Sequence, residues 1–369
     1  MKRVLSLFSG CGGLDWGFKK EGFEIAWAND FQKDSCESYS KNIGKEIFFG
    51  NINKIDINDL PSADIVIGGP PCQAFSLVGK RDPSDSRASL VWTYFKIIKK
   101  IKPSFFLMEN VLGIRSAKTL SGEKVLDLLS EEFEKLGYSI QIFILNSADY
   151  GVPQLRKRVF IFGNNLGLKN IEPPLTTHSQ EGENKKKWVS SQEALSDLGK
   201  PTTNGISKYI HHPVNEFQKL MRLSSSPIII NHFIPYASET DKTIIKHVKP
   251  GGNYMDVPDE VSTKRIMYFK KTGGRTTTYG RLHPEKPSYT LNTYFDRPNV
   301  GCNIHYSEDR MITIREGLRI QSFPDDFELI SHSKRNYYIQ VGNAVPPLVS
   351  LAWAKKIKNL IGLIKLPKS

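Results

Sequence analysis

The chain has 369 residues, 39% of them hydrophobic, and a net charge of +13, which suits a full apolar core, two domains and a polyanionic partner. Its apolar runs stay short of the ~20 residues that a membrane-spanning helix needs, and the run after the basic start Met1-Lys2-Arg3 goes straight into glycines with no cleavage site. The four cysteines, Cys11, Cys36, Cys72 and Cys302, show no C-x-x-C pairing, which argues against a zinc site and a disulfide framework and fits a reducing cytoplasm.

From residue 3 to 163 strand-like and helix-like segments alternate. The strand candidates are Val4–Phe8, Glu24–Ala28, Ile65–Ile67, Phe105–Met108, Ser139–Leu145 and Arg158–Phe162; the helix candidates include Leu14–Lys20, Gln32–Lys41, Leu90–Ile101 and Lys124–Leu136. This alternation predicts an α/β fold with a doubly wound, mostly parallel sheet covered on both faces. Residues 164–304 are rich in Lys, Ser, Thr, Asn, Pro and Gly, with no persistent helical period, and predict a second, smaller, irregular and β-leaning domain. Strand-like pieces there are Thr276–Tyr279 and Ser288–Thr293. Thr313-Ile314-Arg315-Glu316 fits a capping box. The amphipathic run Leu348–Leu363 is expected to pack back on the first domain, so residues 305–369 complete it.

Five segments carry chemistry. Phe8-Ser9-Gly10-Cys11-Gly12-Gly13 joins the first strand to a helix, where glycines allow a tight turn and close approach to a ligand. Its spacing is not G-x-G-x-x-G, which disfavours a dinucleotide. Asp30, ending the second strand, suits ribose hydroxyls or a helix N-cap, and Phe31 suits an adenine face. Pro70-Pro71-Cys72-Gln73 places a thiol at the C-terminal end of a strand, the ligand-binding edge of such sheets. Glu109 ends a neighbouring strand, where a carboxyl group protonates or hydrogen-bonds a ring nitrogen near a nucleophilic thiol, or caps the loop around Gly113. In Gln154-Leu155-Arg156-Lys157-Arg158 the alternation of an extended chain puts Arg156 and Arg158 on one side. They suit a base oxygen, a phosphate or the Glu109 carboxylate, help keep Cys72 ionised, or form a solvated pair.

At this point the chain resembles the DNA (cytosine-5)-methyltransferases of bacterial restriction-modification type. The matching segments, in that family's order, are Phe8 to Gly13, Pro71-Cys72-Gln73, Glu109-Asn110-Val111, Gln154-x-Arg156-x-Arg158, Arg315-Glu316-Gly317-Leu318-Arg319 with Phe323-Pro324, and Gln340 to Pro346. The resemblance implies a Rossmann-like class I methyltransferase domain over 1–163, a target-recognition domain over 164–304, and S-adenosylmethionine as methyl donor, released as S-adenosylhomocysteine, with no metal. By position Phe8, Gly10, Gly13 and Pro71 would line the donor pocket, Asp30 would bind the ribose, and Phe31 and Leu90 would cover the adenine. Asn343, Ala344 and Val345 would close the pocket. Two residues depart from the family pattern: Asp30 replaces the usual Glu, and Asn51 in Asn51-Ile52 replaces the usual Asp, losing a charge but keeping an acceptor for the adenine amine.

The resemblance further implies a covalent mechanism. Cys72 adds to carbon 6 of a cytosine swung out of the duplex, Glu109 engages N3 and the exocyclic amine, and Arg158, supported by Arg156, holds the O2 edge. The polar loop from Gln73 to Ser89 is expected to close over the base, with Gln73 and Ser76 near the backbone and Lys80, Arg81 and Arg87 on phosphates. In the second domain Arg275, Thr276, Thr277, Arg281 and Thr293 are candidates for DNA contact. A stand-alone monomer is expected, acting in the cytoplasm on nucleoid DNA and paired in function with a restriction endonuclease without a stable complex. The competing readings are a tRNA cytosine-5 methyltransferase, disfavoured by the about 140 residues of middle region, a catalytically silent DNA-binding relative, and a nucleotide-dependent oxidoreductase, which lacks its glycine spacing.

Overall fold

Strands that are covered on both faces read as near-continuous apolar runs, and three of the predicted strands fit that pattern. In β1 (Arg3–Leu7), β4 (Ile65–Gly68) and β5 (Phe105–Asn110) the residues Val4, Leu5, Leu7, Ile65 to Ile67 and Phe105 to Met108 are all buried. This is a computed structural model, describing residues 2–71, 89–119, 122–223 and 226–365. With β2 (Glu24–Asp30), β3 (Ile47–Phe49) and β6 (Ser139–Asn146) the three strands share one direction. The strand Lys157–Asn164 runs against them, between β5 and β6. The seven strands lie in the order β3-β2-β1-β4-β5, then Lys157–Asn164, then β6.

Helices α1 (Gly13–Lys20), α2 (Lys33–Asn42), α3 (Ser89–Ile101) and α4 (Val125–Lys135) follow the predicted positions within one or two residues. Tyr94, Ile97 and Ile98 of α3 and Phe133 of α4 pack on Val66 and Phe106. The C-terminal helix Pro347–Lys365 returns to this sheet. Trp353 is fully buried there, its ring 5.6–5.7 Å from those of Phe143, Phe160 and Phe162. The strand order reverses between β1 and β4. Connections leave in opposite directions at such a point, opening a crevice at the C-terminal strand ends.

The chain divides into two compact units. The first holds residues 1–146, 157–175 and 349–369; the second holds 147–156 and 176–348. These limits differ from the expected spans, since residues 305–348 pack within the second unit and only the last helix joins the sheet. The second unit also differs in texture from its expectation. Its strands are two or three residues long, and short helices organise it, among them Glu239–His247 and Lys264–Thr272. These two bury Ile244, Ile245 and Ile266 against Tyr254, Val257, Tyr279 and Ile304. Thr276–Tyr279, expected as strand, forms a turn before the short strand Gly280–Arg281, and Ser288–Thr293 keeps only Ser288–Tyr289 as strand. The capping box forms as read: the Thr313 hydroxyl accepts from Glu316 N at 3.1 Å, and the Glu316 carboxylate accepts from Thr313 N at 2.8 Å. Among the described residues no helix is long and apolar enough to cross a membrane, and no cluster of His, Cys, Asp and Glu is arranged to hold a metal ion.

Candidate active site

The C-terminal ends of β1 to β5 gather most of the predicted residues of the first unit. After β1 the backbone turns through Phe8 (φ 56°), Gly10 (φ 56°) and Gly12 (φ 96°) into α1, which begins at Gly13. A side chain at Gly12 would meet Ile43 at 2.5 Å and Tyr39 at 3.0 Å, so glycine is required there by packing as well as by backbone angle. Gly10 is different, because the space where its Cβ would stand is open.

Asp30 joins this turn to β2. Its carboxylate accepts from Gly10 N at 2.9 Å and from Gln32 N at 2.8 Å. Burial raises its pKa, and those amides oppose the rise. Phe31, next in the chain, is 65% exposed. Gly50 N donates to Asp30 O at 3.0 Å, which brings the end of β3 alongside. Asn51, however, uses its side-chain oxygen to cap the short helix Ile52–Lys54, accepting from Asn53 N at 3.0 Å. Ile52 is buried in the core with Leu5, Leu7 and Val91, and Leu90 packs against the same cluster. Pro71 is exposed at the end of the β4 loop.

The reactive side of the crevice is built from β4, β5 and the strand Lys157–Asn164. Glu109 Oε1 stands 3.1 Å from Arg158 Nε, and both side chains are largely buried, at 11% and 17% exposure. The two meet because β5 and its antiparallel neighbour pair Glu109 with Phe160, which leaves Arg158 diagonally placed. Burial lowers the Arg158 pKa, while the adjacent Glu109 carboxylate raises it. Gly69 lies behind this carboxylate: a Cβ added there would stand 3.2 Å from Glu109 Oε2. Asn110 Nδ2 donates to Pro70 O at 3.0 Å. This bond ties the end of β5 to the residue two positions before Cys72. Asn110 was quoted in the sequence only as part of a motif, and its role in holding the β4 loop is legible only from the fold. Cys72, Gln73, Ser76, Lys80, Arg81 and Arg87 lie outside the described residues.

Arg156, expected to support Arg158, is tied to backbone carbonyls. It belongs to the second unit, where it is buried and donates to Leu291 O at 3.0 Å and to Gly342 O at 3.1 Å. These two bonds make its guanidinium part of the frame of that unit. Neighbouring Gln154 and Gln321 extend the frame: Gln154 accepts from Leu291 N at 2.9 Å and donates to Gln321 at 2.8 Å, and Gln321 donates to Val341 O at 2.7 Å. The frame fixes the chain just before exposed Asn343 and buried Ala344 and Val345. Gly342 is packed so closely that a Cβ would stand 2.6 Å from Asn292 C and Thr293 N.

Among the expected DNA contacts, Arg275 and Thr276 are exposed and Thr277 and Thr293 are half-buried. Arg281 is a correction. It is 5% exposed and donates to the carbonyls of Ile245, Val248, His305 and Glu308 at 2.7–3.1 Å and to Asp309 at 2.7 Å. With its donors committed in this way, it is a structural residue and is not available to a phosphate.

The comparison with known sequences decides the family. The profile of the C-5 cytosine-specific DNA methylases matches residues 2–359. The chain belongs to this family. It is 36% identical over 360 residues to the type II methyltransferase M.NgoFVII of Neisseria gonorrhoeae, covering 96% of this chain and 86% of that one. It is also 36% identical over 379 residues to M.DdeI of Desulfomicrobium norvegicum, covering 96% and 88%. In fold this family member is similar to a crystal structure described as a DNA modification methyltransferase encoded within a prophage (E. coli), with a TM-score of 0.73 at 23% identity over 98% of this chain and 100% of that one. The S. pombe Dnmt2 methyltransferase superposes with a TM-score of 0.58 at 18% identity, covering 98% and 99%. The sheet is therefore that of a class I methyltransferase.

Proposed function

We propose that this protein methylates carbon 5 of a cytosine within a specific sequence of duplex DNA, with Cys72 as the nucleophile. The observation that carries the reading is the buried Glu109–Arg158 pair beside the Gly69-Pro70-Pro71 approach to Cys72, held there by Asn110. The donor side fits S-adenosylmethionine in its chemistry. A carboxylate at the end of β2 suits ribose hydroxyls, an exposed ring at Phe31 suits adenine, and the open space at Gly10 admits a ligand against the backbone. Phe8, Gly10, Asp30 and Phe31 would hold the donor, and Asn51, whose oxygen already caps a helix, would contribute through its backbone or its amide hydrogens. When bound, this donor supplies an electrophilic methyl group on a sulfonium, which carbon 5 takes up.

The residues of the chain do the remaining work. Cytosine carbon 5 is a poor nucleophile until a group adds at carbon 6. The Cys72 thiolate forms that bond, and the electron pair moves toward N3. Glu109 in its protonated form gives its proton to N3 as that pair arrives, accepts from the exocyclic amine, and takes the proton back when the thiolate leaves, while Arg158 steadies the carboxylate so formed and presents its remaining donors to the O2 edge. Loss of the carbon 5 proton to a base then returns the electron pair, breaks the bond to sulfur and restores the thiolate. The mark is proposed to protect DNA from a separate restriction endonuclease acting at the same sequence, with this protein working as a monomer in the cytoplasm.

Bisulfite sequencing of DNA from cells expressing the protein tests this directly. A single methylated sequence context is expected, lost in Cys72→Ala. DNA free of 5-methylcytosine, or methylation that survives Cys72→Ala, would refute the proposal. Transfer to tRNA in preference to duplex DNA would establish the RNA-directed alternative.

A further inference from the structure

The turn from Phe8 to Gly13 is tied to a row of buried polar groups that the mechanism leaves unused. Ser6, Ser9, Asp15 and Tyr39 are all buried. Ser9, within the turn, donates its hydroxyl to Ser6 Oγ at 2.9 Å. Ser6, on β1, in turn faces the carboxyl of Asp15 on α1. Tyr39 reaches the same carboxyl from α2: its hydroxyl stands 3.0 Å from Asp15 Oδ1 and 3.2 Å from Glu46 Oε1. The row therefore joins the turn to β1, α1, α2 and the start of β3.

This row is one proton short. A phenol carries a single proton and can donate it to only one of two carboxylates. With both carboxylates ionised, the Tyr39 oxygen would face a bare anion on one side. The contact is satisfied when one carboxyl holds a proton of its own, and Asp15 is the one placed to hold it. It is fully buried where Glu46 is half-buried, and its Oδ2 has no hydrogen-bond partner. The charges around it leave it uncompensated. Lys19, on the same helix, is bonded to Ile43 O, and Lys20 lies 6.0 Å from the Trp16 ring. Cys11, on the turn, feels both Asp15 and Asp30, and burial keeps its thiol protonated. Asp30 is held by Gly10 N and Gln32 N. Glu46 adds negative charge, which opposes ionisation of Asp15. The C-terminal helix meets α1 through the uncharged Ser350, which donates to Leu14 O.

We propose that Asp15 is a positioning residue for the methyl donor, one that gives up its proton to solvent as the cationic donor binds and so favours that donor over its neutral product. The inference rests on the S-adenosylmethionine reading given above. The donor carries a sulfonium charge that S-adenosylhomocysteine lacks, so a buried anion beside the turn acts on the difference between them. Ser9 Oγ lies 2.9 Å from Ser6 Oγ. A further ~3.5 Å reaches the carboxyl, and ~3.8 Å separates residue 9 from Gly10. A ligand in the open space at Gly10 is thus about 10 Å from Asp15. At that distance, with an effective dielectric constant of about 20–80, one charge changes the affinity for another by about 2- to 15-fold. The sign follows from which form is present. Protonated Asp15 treats donor and product alike; the ionised form, populated as pH rises through about 7, holds the donor more tightly. Preference for the donor therefore grows with pH.

The test is titration calorimetry of the full-length protein with S-adenosylmethionine and with S-adenosylhomocysteine, without DNA, at pH 6 and pH 8. Over this range the parent's preference for the donor should grow by about 2- to 6-fold more than that of Asp15→Asn. Comparing the two proteins cancels any titration of the ligands, which both proteins meet alike. A preference that varies with pH equally in the two overturns the inference. Tyr39→Phe gives a second reading should Asp15→Asn fail to fold. It removes a donor to the Asp15 anion, so the rise in preference should begin at higher pH than in the parent. A folded Tyr39→Phe whose rise begins at the parental pH also overturns the inference. A parent protein that binds both ligands with no change in their ratio removes the role of Asp15 alone; one that binds neither removes the donor reading with it.

Discussion

Asp15, in the first turn of α1 beside the glycine turn, is fully buried with no cation next to it. Its Oδ1 accepts from the Tyr39 hydroxyl at 3.0 Å, and the same hydroxyl stands 3.2 Å from Glu46 Oε1. Its Oδ2 has no hydrogen-bond partner among the described residues. Burial lifts its pKa from 3.8 to about 7, against hydrogen bonds from Ser6 and Tyr39 that pull it down. The Glu46 carboxylate nearby pushes in the same direction as burial, while Tyr39 and Cys11, themselves raised by burial, stay neutral over this range. The folded chain thus holds the Asp15 proton more tightly than the unfolded chain does. Stability is unaffected below the unfolded value, falls as pH rises between about 4 and 7, and stays lowered above that. The cost is about 2 kcal/mol at pH 5 and about 4 kcal/mol at pH 8, a difference of about 2 kcal/mol. Asp15→Asn keeps the shape and cannot ionise, so relative to the parent it should gain about 2 kcal/mol between pH 5 and pH 8. The comparison between pH values cancels any fixed packing change. Denaturant unfolding followed by tryptophan fluorescence suits the measurement, because Trp16, Trp27, Trp92 and Trp353 lie in the first unit and only Trp188 in the second. Parallel stability curves for the two proteins would refute the argument.

Glu109→Gln keeps the shape of the pair but removes the charge facing Arg158. Methyl transfer should fall by about 10²–10⁴ in kcat with DNA affinity little changed, as single-turnover assays and DNA binding would show. Gly12→Ala places a methyl group 2.5 Å from Ile43 at φ 96° and should lower stability by about 1–3 kcal/mol. Gly10→Ala meets only open space, so its effect should fall mainly on donor KM, with a smaller loss in melting temperature. Arg281→Ala strips donors from four carbonyls and from Asp309 and should cost about 3 kcal/mol or more, whereas exposed Arg275→Ala should leave the melting temperature unchanged.

The first unit was legible because its code is local. A strand buried on both faces must be an apolar run, and a strand–helix turn under steric pressure must contain glycine, so β1, β4, β5 and the turn at Phe8 to Gly13 could be placed from sequence. Three-residue β3 at the sheet edge, with half-exposed Phe48 and Phe49, carries no such pattern. The helices Glu239–His247 and Lys264–Thr272 were hidden for a related reason. Each buries only one or two residues deeply, Ile244 with Ile245 and Ile266, amid polar and cationic neighbours, so the apolar period never repeats enough to register. Arg281 was misread because an arginine's partners are set by tertiary structure. The carbonyls that hold Arg281 come from Ile245, Val248, His305 and Glu308, in segments separated along the sequence, and nothing near Arg281 in the chain announces them.

The same distinction bears on what the net charge of +13 means. In the second unit, Arg156 and Arg315 donate to backbone carbonyls, Arg319 is held between Asp197 and Asp325, and Arg310 pairs with Glu308 and Glu316. These guanidiniums are planar five-donor groups that satisfy irregular backbone where strands are too short to do so, a task for which lysine has the wrong geometry. Their charges contribute to the total yet stay out of reach of a phosphate. The cations left for DNA in this unit are the exposed ones, most of them lysines, spread over several segments from Lys185 to Lys334. The salt slope of DNA binding should therefore track the exposed cations that meet the duplex and fall well below what the net charge suggests. A slope as large as the whole cation excess would mean that phosphates reach charges which the fold has already committed internally.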